Sequence, residues 1–385
     1  MSSSKFLRIL SSVRGGLWPI LIATFASLAP ITFSASAADE NREDGVVRVM
    51  TQNLYLGSSL EGLLNAKSLP ELIAAAAQVT QNIMDSKPDE RAAAVAREIV
   101  KNHVDLVGLQ EGTIVRTGPL QLPPINPATF LPATGVVSDG LKLLLLALDN
   151  LGEHYSVVAI VPGFDVQIPI PPPLSTPPGF DARLTTQIAI LARSDLRLSN
   201  REVQGFLADR TYFTAGGPVP NPRGWASVDV EKNGRKFRFA TTHLETQDPV
   251  QFPQAHDLIR GAGDTTLPVV FVGDFNVTAD VCNGQSAADP TCPVYQKFIH
   301  DANFMDAWPP NRAGLTCCQA ANLRNPASQL THRLDLVLFR GAIQVLDIHL
   351  VGDKSSDRTP SGLWPSDHAG VVAKLRVISN TIGRQ

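Results

Sequence analysis

The chain has no surplus of positive charge: 33 Lys and Arg stand against 36 Asp and Glu over 385 residues, a formal net charge of −3. Proteins that hold polyanions by releasing counterions usually carry a net basic face, so composition gives no general attraction for nucleic acid. Cysteine is missing until Cys282, and the four present, Cys282, Cys292, Cys317 and Cys318, lack the paired C-x₂-C spacing of a structural zinc site. Internal repeats are absent, and so is low-complexity sequence beyond the prolines, which excludes a solenoid. What is present is 44% hydrophobic and 18% charged, the composition of an ordinary globular protein with one large domain.

The first residues stand apart. Lys5, Arg8 and Arg14 precede the apolar segment "LWPILIATFASLAPITF", which runs into small residues at Ala35 and Ala37. This is the layout of a secretory signal peptide, assigned to residues 1–37. Pro19 and Pro30 bracket an apolar run that is short for a membrane span of about 20 residues. Losing the segment removes three cations and no acids, leaving 30 Lys and Arg against 36 Asp and Glu, or −6. The expected destination is the periplasm or the exterior. An even number of cysteines in an exported chain suggests disulfides, with three pairings open. A local Cys282–Cys292 loop is the first expectation, with Cys317 and Cys318 a neighbouring pair or free.

Along residues 38–385, "GVVRVMTQN" reads as a strand, two helices follow over "LPELIAAAAQVTQNIM" and "PDERAAAVAREIVKNH", and "VDLVGLQEG" reads as a second strand ending in Glu111. Alternation of this kind is an α/β signature. From about 112 to 180 the pattern breaks into Pro-rich apolar stretches around a short helix at "SDGLKLLLLALDNLG", read as an insertion on the rim of the domain because prolines at this density do not sit in central strands. Strands resume from "TTQIAILARSD", with an Asn-Gly hairpin signal at Asn233 and Gly234. Their number implies two sheets.

One feature recurs. Hydrophobic strands run out into polar residues: Asn53 after "VVRVMTQ", Gln110 and Glu111 after "DLVGL", His243 and Glu245 around "TTHLE", Asp274 and Asn276 after "VVFVG", Asp335 in "HRLDLVLF", then Asp367 and His368 before the final strand. Each alone has a structural explanation, such as an Asx turn or a satisfied core histidine. Together they are the residue types of metal and acid–base chemistry. Their oxygens suit a hard cation such as Mg²⁺ or Mn²⁺, leaving histidines to meet an anion, as phosphoryl transfer to water requires.

The ordered series Asn53, "QE" at Gln110 and Glu111, "THLE" from Thr242, "GDFN" from Gly273, "RLD" from Arg333 and "SDH" from Ser366 resembles the endonuclease/exonuclease/phosphatase (DNase I-like) superfamily, and the context resembles its exported bacterial members. The resemblance spans positions 53 to 368. It implies a four-layer α/β sandwich, two mixed β-sheets face to face with helices outside. It also implies that Glu111 is the principal metal ligand with Asn53 and Asp367 near or on the ion, that Asp274 activates water, that Asn276 and His243 hold the phosphoryl group, and that Asp335 orients His368. Whether Asp274 or His368 is the base stays open.

The expected function is therefore that of an exported, divalent-metal-dependent phosphoesterase acting on a phosphodiester, with no obligate protein partner and a monomeric state. The substrate is left among nucleic acid, a phospholipid head group as in sphingomyelinases, and an inositol or sugar phosphate, the last disfavoured because no Lys/Arg cluster for several phosphates is evident. The apolar insertion offers a peripheral membrane contact, or packs over the core. The non-enzyme alternative is a binding module that has lost catalysis. Arg183 is a candidate extra cation.

Overall fold

A computed structural model describes residues 44–122, 129–246, 249–282 and 289–378, all within one compact unit. The leader at 1–37 lies outside the described residues. In chain order the strands are β1 (Val46–Asn53), β2 (Leu106–Pro119), β3 (Gly135–Asp139), β4 (Tyr155–Ile170), β5 (Phe180–Arg193), β6 (Arg197–Gly205), β7 (Arg210–Thr214), β8 (Gly217–Asn221), β9 (Gly224–Lys232), β10 (Arg235–His243), β11 (Val269–Asp274), β12 (Met305–Asp306), β13 (Asp335–Arg340), β14 (Ile343–Val351) and β15 (Gly370–Val377). Among the described residues one sheet runs β14-β15-β1-β2-β5-β4 with β3 also on β2, and a second runs β12-β13-β11-β10-β9-β6. Both are mixed: β1 pairs parallel with β2 and antiparallel with β15, and β10 pairs parallel with β11 and antiparallel with β9.

The sheets pack face to face. Val47, Val49, Leu106 and Ile190 of the first share one core with Val228, Phe237, Phe239, Val270, Val272 and Val337 of the second. Strands buried on both faces read as continuous apolar runs, which is why β11 is "VVFVGD". Outside the first sheet, Val95 and Ile99 of the Pro88–Lys101 helix and Leu144 and Leu148 of the Gly140–Asn150 helix cover Met50, Val107 and Leu191. Outside the second, Leu258 of the Gln251–Arg260 helix joins Phe271, Phe298 and Phe304, the rings of Phe271 and Phe304 stacked at 4.6 Å. The result is the four-layer sandwich. At Gly108 its sheets approach closely: a Cβ there would lie 2.4 Å from both Thr241 Oγ1 and Val272 Cγ2.

Local signals also hold. Asn233 and Gly234 have φ of 50° and 73°, as a type I′ turn between β9 and β10 requires. The Leu69–Asp85 helix opens with Ser68 accepting from the Glu71 amide while Glu71 accepts from the Ser68 hydroxyl and the Lys67 amide, a capping arrangement worth about 1 kcal/mol.

Segment 112–180 differs from the Pro-rich loops expected of it. Strand β2 does not stop at Glu111 but continues to Pro119, β4 occupies Tyr155–Ile170, and the short helix forms at Gly140–Asn150. The prolines themselves follow the rule: Pro162 and Pro169 lie in β4, the outer strand of its sheet, and Pro119 is the last residue of β2. Edge strands leave backbone N–H groups unpaired by the sheet, so Pro costs them little. Cys282 and Cys292 are joined, as are the neighbours Cys317 and Cys318.

Candidate active site

Register gathers the polar strand ends. In the second sheet His243 is opposite Asp274 and Asp274 is opposite Asp335, so three functional side chains from β10, β11 and β13 stand in a row. In the first sheet Asn53 is opposite Gln110, beside Glu111, and Thr51 pairs with Val371, which brings the turn before β15 with Asp367 and His368 to the same end. A polar chain ties the sheets beneath them: Thr51 Oγ1 donates to Gln110 Oε1 at 3.2 Å, and Gln110 Nε2 donates to Thr241 Oγ1 at 3.1 Å.

The row meets the opposite sheet through Asn53. Its Nδ2 donates to Glu111 Oε1 at 3.2 Å and to Asp274 Oδ2 at 3.1 Å, while its Oδ1 accepts the Tyr55 amide. Glu111 sits in a bulge of β2 against β5 with φ of 55°, a local break that re-aims one side chain, and its Oε2 accepts the Leu56 amide at 2.9 Å. Asp274 Oδ1 accepts the Asn276 amide at 2.9 Å, an Asx turn that ends β11. Asn276, at φ 51°, donates its side-chain amide to Leu244 O, and Phe275 between them is fully buried against Phe298. His368 Nδ1 lies 2.7 Å from Asp335 Oδ2, and its Nε2 lies 3.9 Å from Asp274 Oδ2; His243 Nε2 lies 3.4 Å from the same oxygen. All eight anticipated residues, Asn53, Glu111, His243, Asp274, Asn276, Asp335, Asp367 and His368, are thus brought to one end of the sandwich.

Burial works against charge on both imidazoles. At His243 it prevails, helped by Arg223 and His368, and the pKa falls well below its ordinary value. At His368 the carboxylates Asp335, Asp367 and Asp274 overcome it, and the pKa is held well above. Burial, then Asp335, push Asp274 up to about 7 against the pull of His368. Burial likewise lifts Asp367 to about 7, with His368 opposing and Glu111 adding to the rise. Asp335 Oδ1 is buried without a hydrogen-bond partner. These crowded carboxylate oxygens are a donor set that fits a hard divalent cation, while Asn53 presents its N–H groups rather than its oxygen to them.

Two contributors were missed from sequence. Arg91 is buried behind the site, donating to Leu54 O at 2.6 Å and to Pro365 O at 3.3 Å, with its guanidinium 5.8 Å from the Tyr55 ring centroid. The available signal was a cation on the apolar stripe of its helix, spaced by four from Val95 and by eight from Ile99. Arg223 donates to His243 O and sits 3.6 Å from Glu245 Oε2, but nothing in "NPRGW" announces it. Arg183 is not in the cluster; it pairs with Asp165. Glu245 is fully buried and bound by Asn221, Tyr212 and the Thr246 amide.

Beside the cluster opens a cleft of about 460 Å³ that shares Glu111 and His243 with it.

A model of the endonuclease/exonuclease/phosphatase family matches residues 50–368. The chain belongs to this family. The matched region takes in every residue of the cluster and all of the sandwich except the start of β1 and strand β15. Among curated proteins, tyrosyl-DNA phosphodiesterase 2 of Rattus norvegicus is 29% identical over 182 residues, which is 42% of this chain and 44% of that protein, so the match spans under half of the relative's length. Among solved structures, a family protein from Leptotrichia buccalis superposes with a TM-score of 0.51 at 12% identity, covering 86% of this chain and 99% of its own. A mannosyl-6-phosphatase of Bacteroides thetaiotaomicron gives 0.50 at 16% identity, with 86% and 99% covered. These likenesses carry the family's fold.

Proposed function

We propose that the chain is an exported, divalent-metal-dependent phosphodiesterase that cleaves its substrate by attack of water. The observation that carries this reading is the cross-strand row His243, Asp274 and Asp335 facing Asn53, Glu111 and His368 across the sandwich, on a family of phosphoric ester hydrolases. Glu111 and Asp367 would hold Mg²⁺ or Mn²⁺, with Asn53 donating to both Glu111 and Asp274. When bound, the ion neutralises charge on the phosphoryl oxygens.

The protein's own groups supply the rest. Asp335 fixes the ring of His368 through Nδ1, so its Nε2–H is free to donate to the phosphoryl group as charge builds. That use of His368 as a donor favours Asp274 as the group that orients the water and takes its proton. His243, held neutral, donates a hydrogen bond to a phosphoryl oxygen, and Asn276 positions the group from the turn after β11. Export is supported by the leader pattern at 1–37 and by the Cys282–Cys292 pair.

The test is turnover by the mature chain, with Mg²⁺, Mn²⁺ or EDTA, of a chromogenic phosphodiester, sphingomyelin and plasmid DNA. Metal-dependent release from the diester is expected. No turnover of any substrate, or turnover untouched by EDTA, overturns the proposal and favours a binding module.

A further inference from the structure

The cleft beside the cluster is lined mainly by apolar side chains, most of them aliphatic, with Glu111, Gln167, Gln187, Asn221 and His243 among its polar members. Leu60 and Leu63 near the Glu61–Asn65 helix, Leu72 and Val79 of the Leu69–Asp85 helix, and Val166 and Leu184 of β4 and β5 face it. Its volume of about 460 Å³ is that of a small-molecule site. It stays open to solvent, with Leu64 and Leu69 40% and 39% exposed. A nucleic-acid strand needs aromatic platforms and unpaired cations along its track. Here the described lining offers Phe164 and Tyr212 as aromatics, and its cations are Arg183, held by Asp165, and Arg223, beside Glu245.

Because Glu111 and His243 line both cleft and cluster, a group in the cleft lies beside the position proposed for the phosphate. We propose that the occupant is the hydrocarbon chain of an amphiphilic phosphodiester, so that the enzyme prefers lipid-like esters over nucleotide esters. This rests on the phosphodiesterase reading above. Water adds across the P–O bond; one ester oxygen leaves as an alcohol and the other stays on the phosphate monoester, so the reaction needs no further reactant.

The experiment follows kcat/KM of the mature chain with Mg²⁺ on ethyl, butyl, octyl and dodecyl 4-nitrophenyl phosphates, each below its micelle concentration. Expected is a rise of roughly 2- to 4-fold per methylene over the first several carbons, carried mainly by KM, levelling once the cleft is filled. In Leu63→Gln and Leu184→Gln the dodecyl-to-ethyl ratio falls by about 10-fold or more, since a buried amide facing hydrocarbon is unpaired. The ratio is read within one preparation, so partial unfolding cancels. Leu146→Gln, an exposed position away from the cleft lining, keeps the wild-type ratio. An ethyl ester hydrolysed as well as the dodecyl ester overturns the inference while the phosphodiesterase reading stands. Faster cleavage of the 4-nitrophenyl ester of thymidine 5′-phosphate than of the octyl ester also overturns it. If no ester turns over with Mg²⁺ or Mn²⁺, both readings fall.

Discussion

The polar end of the sandwich and the apolar cleft beside it are built by opposite means. At the polar end, strands supply one or two residues each, register places them, and hydrogen bonds such as Asn53 to Glu111 and Asp274, and His368 to Asp335, tie the side chains to one another. The cleft is made by volume: leucines and valines from two helices, two long strands and the β7–β8 hairpin leave a space that none of them fills. Chemistry demands the first kind of construction, since a misplaced carboxylate is a lost reaction. Recognition of a flexible apolar group tolerates the second, because burial is non-directional.

Changes at the polar end should therefore act on the rate, whatever the substrate's tail, and this is the sharpest way to separate the regions. Asp274→Asn is expected to lower kcat on the order of 10²- to 10⁴-fold on short and long esters alike, by steady-state kinetics. A loss confined to long esters would merge the two regions into one. Beneath the site, Arg91→Met leaves the carbonyls of Leu54 and Pro365 without their donor, and an expected cost of about 3 kcal/mol would show as a lower urea midpoint. At the boundary, Glu245 is held below its ordinary pKa of 4.5: burial works to raise it, and Arg223 with the hydrogen bonds from Thr246 and Asn221 outweighs that. A depressed carboxylate contributes stability that is present above its unfolded pKa and lost as the pH falls through the folded value. Melting temperatures of Glu245→Gln should therefore depend less on pH below about 4.5 than those of the wild type. The smallest effect belongs to the cleft wall: Ser68→Ala removes the cap of the Leu69–Asp85 helix for about 1 kcal/mol, read by denaturant unfolding, with kcat on the ethyl ester unchanged.

The same contrast explains what sequence disclosed. Polar residues at strand ends survive as short strings, "QE", "THLE", "GDFN" and "SDH", because each lies where an apolar run stops. Strands β1, β5, β9, β10, β11, β13, β14 and β15, the start of β2, the helices at Leu69–Asp85, Pro88–Lys101 and Gly140–Asn150, and the Asn-Gly turn were legible through period and turn chemistry. The strands within 112–180 were not, since proline density argues against strands in general and cannot say which strand will be an edge. The bulge that aims Glu111 and the burial of Arg91 depend on partners distant in the chain. A cleft has no string at all; it is the shape left between elements whose residues each look like ordinary core.

Hydrolysis of bis(4-nitrophenyl) phosphate by the purified chain with Mg²⁺, before and after excess EDTA and beside Glu111→Gln, tests the central claim most directly. The expected result is turnover that EDTA abolishes, that added Mg²⁺ or Mn²⁺ restores, and that Glu111→Gln reduces on the order of 10²-fold or more. Turnover that is indifferent to EDTA, or undiminished in Glu111→Gln, would contradict it.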